Sequence, residues 1–406
     1  MTQARFVILG GGMVAGYAAK ELADGGLKRG ELAIVSADTY LPYERPPLSK
    51  GFLAGKDTEQ SIRIQPDEFY KSVGIELMLG TEVTAVDVPR KRLVLKRGGV
   101  AFEKLLIATG ARPRMLEIAG AGLPNVHYLR SLDDSKAIRE SAESVQHAVV
   151  IGGGFIAMEV AAVLAQKRIE VFMVVREGRV WERVFSPEMS AFFERYYADR
   201  GVKVLKKSAV RELRGDATVR EAVLADGSKV PCGLVVAGIG VVPVTEMLAG
   251  SGVAVENGVT VNEYLETGVV DVYAAGDVAT YQDVLYGKRR RVEHWDNAVS
   301  QGRHAARGMM GDRQPFRHVP YFFSDVFDLS YEYWGDSSDA DETIHRGDLS
   351  TNSFSVWWLQ QGRLVAAFAM NRPDEERDAA PRWIEARQAL SGARLKGSAS
   401  ITEAVA

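Results

Sequence analysis

Two stretches of this 406-residue chain repeat one another: RFVILGGGMVAGYAAKEL from Arg5 and AVVIGGGFIAMEVAAVLA from Ala148. Each passes from an apolar strand-type run through consecutive glycines into an alanine-rich helix-type run. Each contains G-x-G-x-x-A, as Gly10, Gly12 and Ala15 in the first copy and Gly152, Gly154 and Ala157 in the second. The first glycine permits a tight strand-to-helix turn, the second lets backbone approach a pyrophosphate, and the small third residue lets the helix pack on the strand. The phosphates then meet the helix N-terminus. One such match in a chain with 40 glycines carries little weight. Two of them, each also closing on a strand and turn (KLLIATGARP from Lys104, GLVVAGIGVVP from Gly233), define a duplicated dinucleotide-binding module.

The expected fold class is therefore α/β, with two Rossmann-like dinucleotide-binding domains, the second inserted in the first, and a small α+β C-terminal domain. After the second copy the chain returns to a strand and turn, DVYAAGDVAT from Asp271. The expected boundaries are 1–112 and 243–312 for the first domain, 113–242 for the second and 313–406 for the third. In the third, SFSVWWLQQGRLVAAFAM predicts a hairpin turning at Gln361 and Gly362. The final SGARLKGSASITEAVA has little to bury and is expected to be a mobile tail.

Composition narrows the function. With 46% hydrophobic and 25% charged residues and a formal net charge of -3, the chain has neither the field nor the long basic run of a nucleic-acid or anionic-membrane binder. Its single cysteine, Cys232, allows no internal disulfide and no redox-active cysteine pair. The N-terminus leaves no room for a secretion signal, and no apolar run approaches the roughly 20 residues of a membrane span. A cytoplasmic protein is expected. The six histidines show no metal-ligand spacing with carboxylates, so no metal site is expected.

Through GGGMVAG, PYERPPLSK, ATGARP, GGGFIAME, AAGDVA, EHWDNA and FFSDVFDLSYEYWGD, nearly the whole chain resembles the two-dinucleotide-fold flavoprotein reductases. The branch is that of bacterial ferredoxin and rubredoxin reductases, monodehydroascorbate reductase and apoptosis-inducing factor. The resemblance implies FAD in the first module, NADH or NADPH as co-substrate in the second, and a C-terminal domain covering the flavin.

It also implies site residues. Asp38 stands where an acid binds the adenosine ribose, Arg45 where an arginine contacts the FAD phosphate or adenine, and Lys50 beside the isoalloxazine, paired with Glu159. Asp277 serves the ribityl chain or phosphates, and Glu293, His294 and Trp295 the flavin pyrimidine. A helix beginning near Asp296 aims its N-terminal dipole at the flavin. Met13, Val83, Ala108, Thr109, Gly110 and Gly276 complete the FAD set; Phe155, Ile156 and Gly240 join the nicotinamide set. Where disulfide-reducing relatives carry cysteines, this chain has RPPLSK. For the nucleotide, Glu177 suits a free 2'-hydroxyl and so NADH, whereas Arg176 suits a 2'-phosphate and so NADPH. Ala157 leans to NADPH and the likeness to monodehydroascorbate reductase to NADH.

The electron acceptor is read from the last domain. Where monodehydroascorbate reductases place an arginine and a tyrosine, this chain has Asp325 and Trp334, with Trp334 over the flavin and Asp325 setting the local charge. That pattern favours a small acidic iron-sulfur protein, a ferredoxin or rubredoxin, steered by the basic run from Lys288 to Arg291. The alternatives are a small radical or quinone as acceptor, or a redox-regulated flavoprotein like apoptosis-inducing factor. A monomer or homodimer is expected.

Overall fold

The computed structural model describes residues 2–182, 184–397 and 400–405. The chain divides into two compact units. One comprises Met1–Arg45, Glu59–Arg112 and Val242–Pro320; the other comprises Pro46–Thr58, Pro113–Val241 and Tyr321–Ala406. The proline-rich segment from Pro46, which in sequence belongs to the first module, thus groups with the second unit. So does the C-terminal segment, which forms a sheet of its own there.

In the first unit five parallel strands run in the order Glu76–Met78, Leu32–Val35, Thr2–Leu9, Gly99–Ile107, Val272–Ala274. Leu32–Val35 is apolar at every position and buried throughout, as a parallel strand covered on both faces must be. Beyond Thr2–Leu9, Gly99–Ile107 serves two further partners. Its end pairs with Val272–Ala274, and its start carries the antiparallel hairpin of Val83–Asp87 and Arg92–Leu95. The helices Met13–Asp24 and Trp295–Met310 pack tightly enough that a Cβ at Gly302 would lie 2.9 Å from the Val14 carbonyl oxygen.

The second unit repeats the design with five parallel strands in the order Val202–Leu205, Glu170–Val174, His147–Ile151, Leu234–Ala237, Val126–Tyr128. A three-stranded antiparallel sheet, from Val210 to Pro231, lies beside it in sequence. The C-terminal sheet is antiparallel, with its central hairpin formed by Ser353–Gln360 and Arg363–Met370. Gln361 (φ 52°) and Gly362 (φ 70°), where the sequence predicts the hairpin to turn, both take positive φ, as a two-residue type I′ turn requires.

The tail corrects its expectation. Leu390, Leu395, Ile401 and Ala404 are buried, and Leu390 pairs with Val405. The Arg346 guanidinium donates to the Leu395 carbonyl. Three apolar side chains of the segment, Leu395, Ile401 and Ala404, suffice to dock it without any periodicity; Ser398, Ala399 and Ala406 lie outside the described residues. No helix among the described residues is long and apolar enough to cross a membrane.

Candidate functional site

The two glycine turns are near-copies. Gly10 has φ 125° and Gly152 φ 123°, and a Cβ on either would collide with a carbonyl oxygen, that of Ala108 or of Gly238. The carbonyl follows the equivalent strand in each module, Gly99–Ile107 or Leu234–Ala237. Only glycine satisfies both the positive φ and the close approach. Gly10 N–H donates to Val35 at 2.8 Å and Gly152 N–H to Val174 at 2.9 Å. The helices Met13–Asp24 and Phe155–Gln166 then start on Gly12 and Gly154, with no side-chain cap and no acidic residue in the first turn. Ala15 and Ala157 are buried where each helix meets its sheet. These cradles suit the pyrophosphate of a dinucleotide: bare N–H groups, a positive helix end and no competing carboxylate.

Apart from Lys50, its partner Glu159 and Trp334, the remaining FAD candidates lie in the first unit. Asp38 and Arg45 come together at 3.8 Å, and Asp38 also accepts from the Tyr43 hydroxyl at 3.2 Å. The Arg45 guanidinium reaches within 3.8 Å of where a Cβ on Gly12 would sit, so it stands at the mouth of the first cradle. Thr109 donates to the Val244 carbonyl at 2.6 Å, and Gly110 turns the chain with φ 66°. Met13, Val83 and Ala108 are buried apolar residues of the same core. Gly276 adopts φ 79° and opens the turn that holds the buried Asp277, whose carbonyl accepts from Arg291 at 2.9 Å.

Two residues that sequence reasoning did not assign hold this wall in place. Gln301, fully buried, accepts the Gly276 N–H at 2.8 Å and so fixes the Asp277 turn. Glu44 accepts from the Tyr17 hydroxyl at 2.6 Å and from the Trp295 indole at 2.5 Å. The helix expected near Asp296 begins at Trp295 on an N-cap at His294, and Asp296 pairs with His318. Glu293 pairs with Arg291 at 2.9 Å.

The basic run reads differently in the structure. Arg290 pairs with Asp283 at 3.4 Å, Arg291 with Glu293, and Arg289 donates to the Val261 carbonyl. The side chains of Arg290 and Arg291 are only 16% and 10% exposed. Intramolecular acids thus meet two of the four charges, Arg290 and Arg291, while Arg289 remains exposed.

In the second unit Ile156 is 43% exposed on the first turn of its helix, an unusual place for a large apolar side chain. Phe155 instead packs on Phe322, centroids 3.9 Å apart, and on Trp181. Gly240 turns the chain with φ 98° after the strand Leu234–Ala237. Arg176 is exposed and Glu177 half-buried, both just beyond the strand Glu170–Val174.

The same unit brings Lys50 and Glu159 together. Lys50 Nζ donates to Glu159 Oε1 at 2.6 Å, and Glu159 is 4% exposed. Ser324 donates to Oε1 at 2.6 Å and Ser49 to Oε2 at 2.5 Å. Neither serine was a sequence candidate. On the strand pair Tyr321–Val326 and Leu329–Gly335, Trp334 sits opposite Tyr321, rings 5.7 Å apart, and Asp325 opposite Ser330. Trp334 is buried and Asp325 exposed. Four residues of strand separate Tyr321 from Asp325, about 13 Å at the usual rise per residue. Asp325 therefore does not sit beside Trp334 on the ladder.

A duplicated dinucleotide cradle, each copy at the end of a parallel sheet, defines a protein built to hold two dinucleotides. The chain belongs to the pyridine nucleotide-disulphide oxidoreductase family, whose model matches residues 4–302, and a reductase C-terminal model matches 321–404. It is 38% identical to peroxisomal monodehydroascorbate reductase 4 of Arabidopsis thaliana, over 95% of this chain and 83% of that protein. It is 36% identical to the monodehydroascorbate reductase of Solanum lycopersicum, over 92% of each. Among solved structures, a covalent putidaredoxin reductase–putidaredoxin complex matches with TM-score 0.93 and 33% identity, over 97% of this chain and 96% of that one. A ferredoxin reductase from Rhodopseudomonas palustris matches with TM-score 0.93 and 31% identity over the whole of both chains. The protein is an FAD-dependent oxidoreductase that uses NAD(P)H.

Proposed function

We propose that this protein takes a hydride from NAD(P)H and passes the electrons singly to a small iron-sulfur protein. FAD, when bound, supplies the conversion between a two-electron donor and a one-electron acceptor. The first cradle, with Arg45, Asp38, Thr109 and Asp277, would hold FAD. The second, with Arg176 and Glu177, would hold the nicotinamide dinucleotide.

The protein's own residues have defined tasks in this reading. Gly10 and Gly152, whose own N–H groups are bonded to strand carbonyls, make the turns, and the uncapped helix starts after Gly12 and Gly154 would offer their first-turn N–H groups to phosphate. Gln301 holds the Gly276 N–H and so orients Asp277. Lys50, assigned to the flavin by resemblance, has three donors, of which Glu159 takes one at 2.6 Å.

The observation that carries the reading is that Ser49 and Lys50, in the RPPLSK segment that by resemblance stands where disulfide-reducing relatives carry cysteines, are bonded to the buried Glu159, with Cys232 buried elsewhere. A protein acceptor is further supported by the structural likeness to a putidaredoxin reductase in complex with its partner. One observation favours a second reading, monodehydroascorbate reduction: the 38% identity to an enzyme of that name. The test compares turnover with a panel of ferredoxins and rubredoxins against turnover with the ascorbyl radical. Trp334→Ala should lower acceptor turnover and leave flavin reduction by NAD(P)H within about twofold. Radical turnover that exceeds every iron-sulfur protein by orders of magnitude would select the second reading.

A further inference from the structure

The Glu159 carboxylate is held by three donors from two separate stretches of the second unit. Ser49 closes the 3-10 turn Pro46–Ser49, which Ser135 anchors by donating to the Leu48 carbonyl at 2.8 Å. Ser324 occupies an inward position of the strand Tyr321–Val326, between the buried Phe322 and Val326. Glu159 projects from the helix Phe155–Gln166. Ser49, Glu159 and Ser324 are all buried, whereas the Lys50 side chain keeps 17% exposure.

An ionised carboxylate offers about four lone-pair sites, and burying it without partners is costly. One lysine on a flexible stem neutralises the charge yet leaves the carboxylate plane free to rotate. A hydroxyl on each oxygen removes that freedom. Ser49 bonds Oε2 at 2.5 Å and Ser324 bonds Oε1 at 2.6 Å, the latter sharing its oxygen with Lys50. Tyr331, directly across the ladder from Ser324, is itself buried, so water has no ready route to replace the serine.

We infer that Ser49 and Ser324 are positioning residues that lock the plane of the Glu159 carboxylate and thereby fix where Lys50 presents its remaining donors. This rests on the reading in which the Lys50–Glu159 pair serves the flavin. Ser324 and Lys50 both draw on Oε1, so losing Ser324 frees Lys50 to rotate about that oxygen. Losing Ser49 frees the carboxylate to swing about its own axis. Each should alter the rate of hydride acceptance and the flavin midpoint potential, without touching nucleotide affinity.

The test uses the FAD-loaded protein and the variants Ser324→Ala, Ser49→Ala, Ser324→Thr, Lys50→Ala and Glu159→Gln. Stopped-flow absorbance gives the limiting rate of flavin reduction and the nucleotide Kd; a dye-coupled redox titration gives the midpoint potential. Ser324→Ala and Ser49→Ala should each lower the limiting rate about tenfold, the scale of one hydrogen bond to a charged group. The potential should shift and the nucleotide Kd stay within about twofold. Ser324→Thr, which keeps the hydroxyl, should restore most of the rate, and Ser324→Ala should add little once Glu159→Gln is present. If the alanine variants lower only the melting temperature, with rate and potential unchanged, while Lys50→Ala is slow, the positioning role is wrong and the pair's role stands. If Lys50→Ala and Glu159→Gln also reduce normally, the assignment of the pair to the flavin fails and the positioning role falls with it. Should Ser324→Ala not fold, Ser49→Ala decides on the other oxygen.

Discussion

Glu44 accepts the indole N–H of Trp295 at 2.5 Å across 251 residues of sequence, and the same carboxylate takes the Tyr17 hydroxyl at 2.6 Å. One acid thus ties the loop before the proline run to the start of the helix Trp295–Met310 and to the helix of the first cradle. Glu44→Ala removes the acceptor and leaves both donors in a partly buried site. We expect FAD affinity to fall about tenfold, the loss of one to two hydrogen bonds to a charged group. Fluorescence titration of FAD into the apoprotein reads it. Glu44→Gln, which keeps one acceptor oxygen, should lose less.

In the proposed reading, nucleotide preference resides in Arg176 and Glu177, just past the strand Glu170–Val174. Arg176→Ala should weaken use of NADPH more than NADH, and Glu177→Ala the reverse. A tenfold change in the ratio of kcat/KM values corresponds to about 1.4 kcal/mol of differential transition-state binding. A ratio unmoved by either variant would place the ribose elsewhere.

Cys232 should be chemically silent. Burial pushes its thiol up to about 12, and the side chain lies within the apolar core of the second unit. A thiol reagent at pH 8 should leave the native protein unmodified and fully active, and should label one thiol per chain after denaturation. Inactivation of the native protein by the reagent, prevented by Cys232→Ala, would contradict this.

At alkaline pH, several of the 14 tyrosines should lag. Burial, with the Glu44 hydrogen bond, raises Tyr17; burial alone raises Tyr70; burial also holds Tyr197 and Tyr331 well above the ordinary range. Burial and the Asp328 hydrogen bond push Tyr196 up to about 12. A raised folded-state value means the stability these groups contribute is fully present below the ordinary tyrosine value of about 10. It is lost as pH rises from there through the folded value. Tyrosinate absorbance should therefore appear in two phases, the later one coinciding with loss of native circular dichroism. A single phase near pH 10 in a still-folded protein would be inconsistent with these burials.

Much of the fold was legible because it is written locally. The glycine turns need particular backbone geometry, and Gly10 and Gly152 supply it within 2° of each other in φ. Gln361-Gly362 likewise announces its hairpin. What stayed hidden depends on partners far along the chain. Ser49 and Ser324 are ordinary serines until Glu159, 110 and 165 residues away, falls between them. Gln301 gains its task only when Gly276 is brought beneath it. Within the run from Lys288 to Arg291, the pairing of Arg290 was hidden because its acid, Asp283, reads in sequence as an unrelated strand-end residue. The tail looked mobile because Leu395 and Ile401 carry no periodic signal, yet each finds a buried place.

The measurement that bears most directly on the proposed function is a double-mixing experiment without oxygen. The flavin is first reduced by one equivalent of NAD(P)H, then mixed with an oxidised ferredoxin, and flavin and iron-sulfur absorbances are followed separately. A hydride carries two electrons and a ferredoxin accepts one. The account predicts rapid reoxidation of the flavin with two ferredoxins reduced per flavin, slowed in Trp334→Ala at an unchanged rate of the first mixing step. A flavin that stays reduced with every ferredoxin and rubredoxin offered, yet reoxidises at once with the ascorbyl radical, would contradict it.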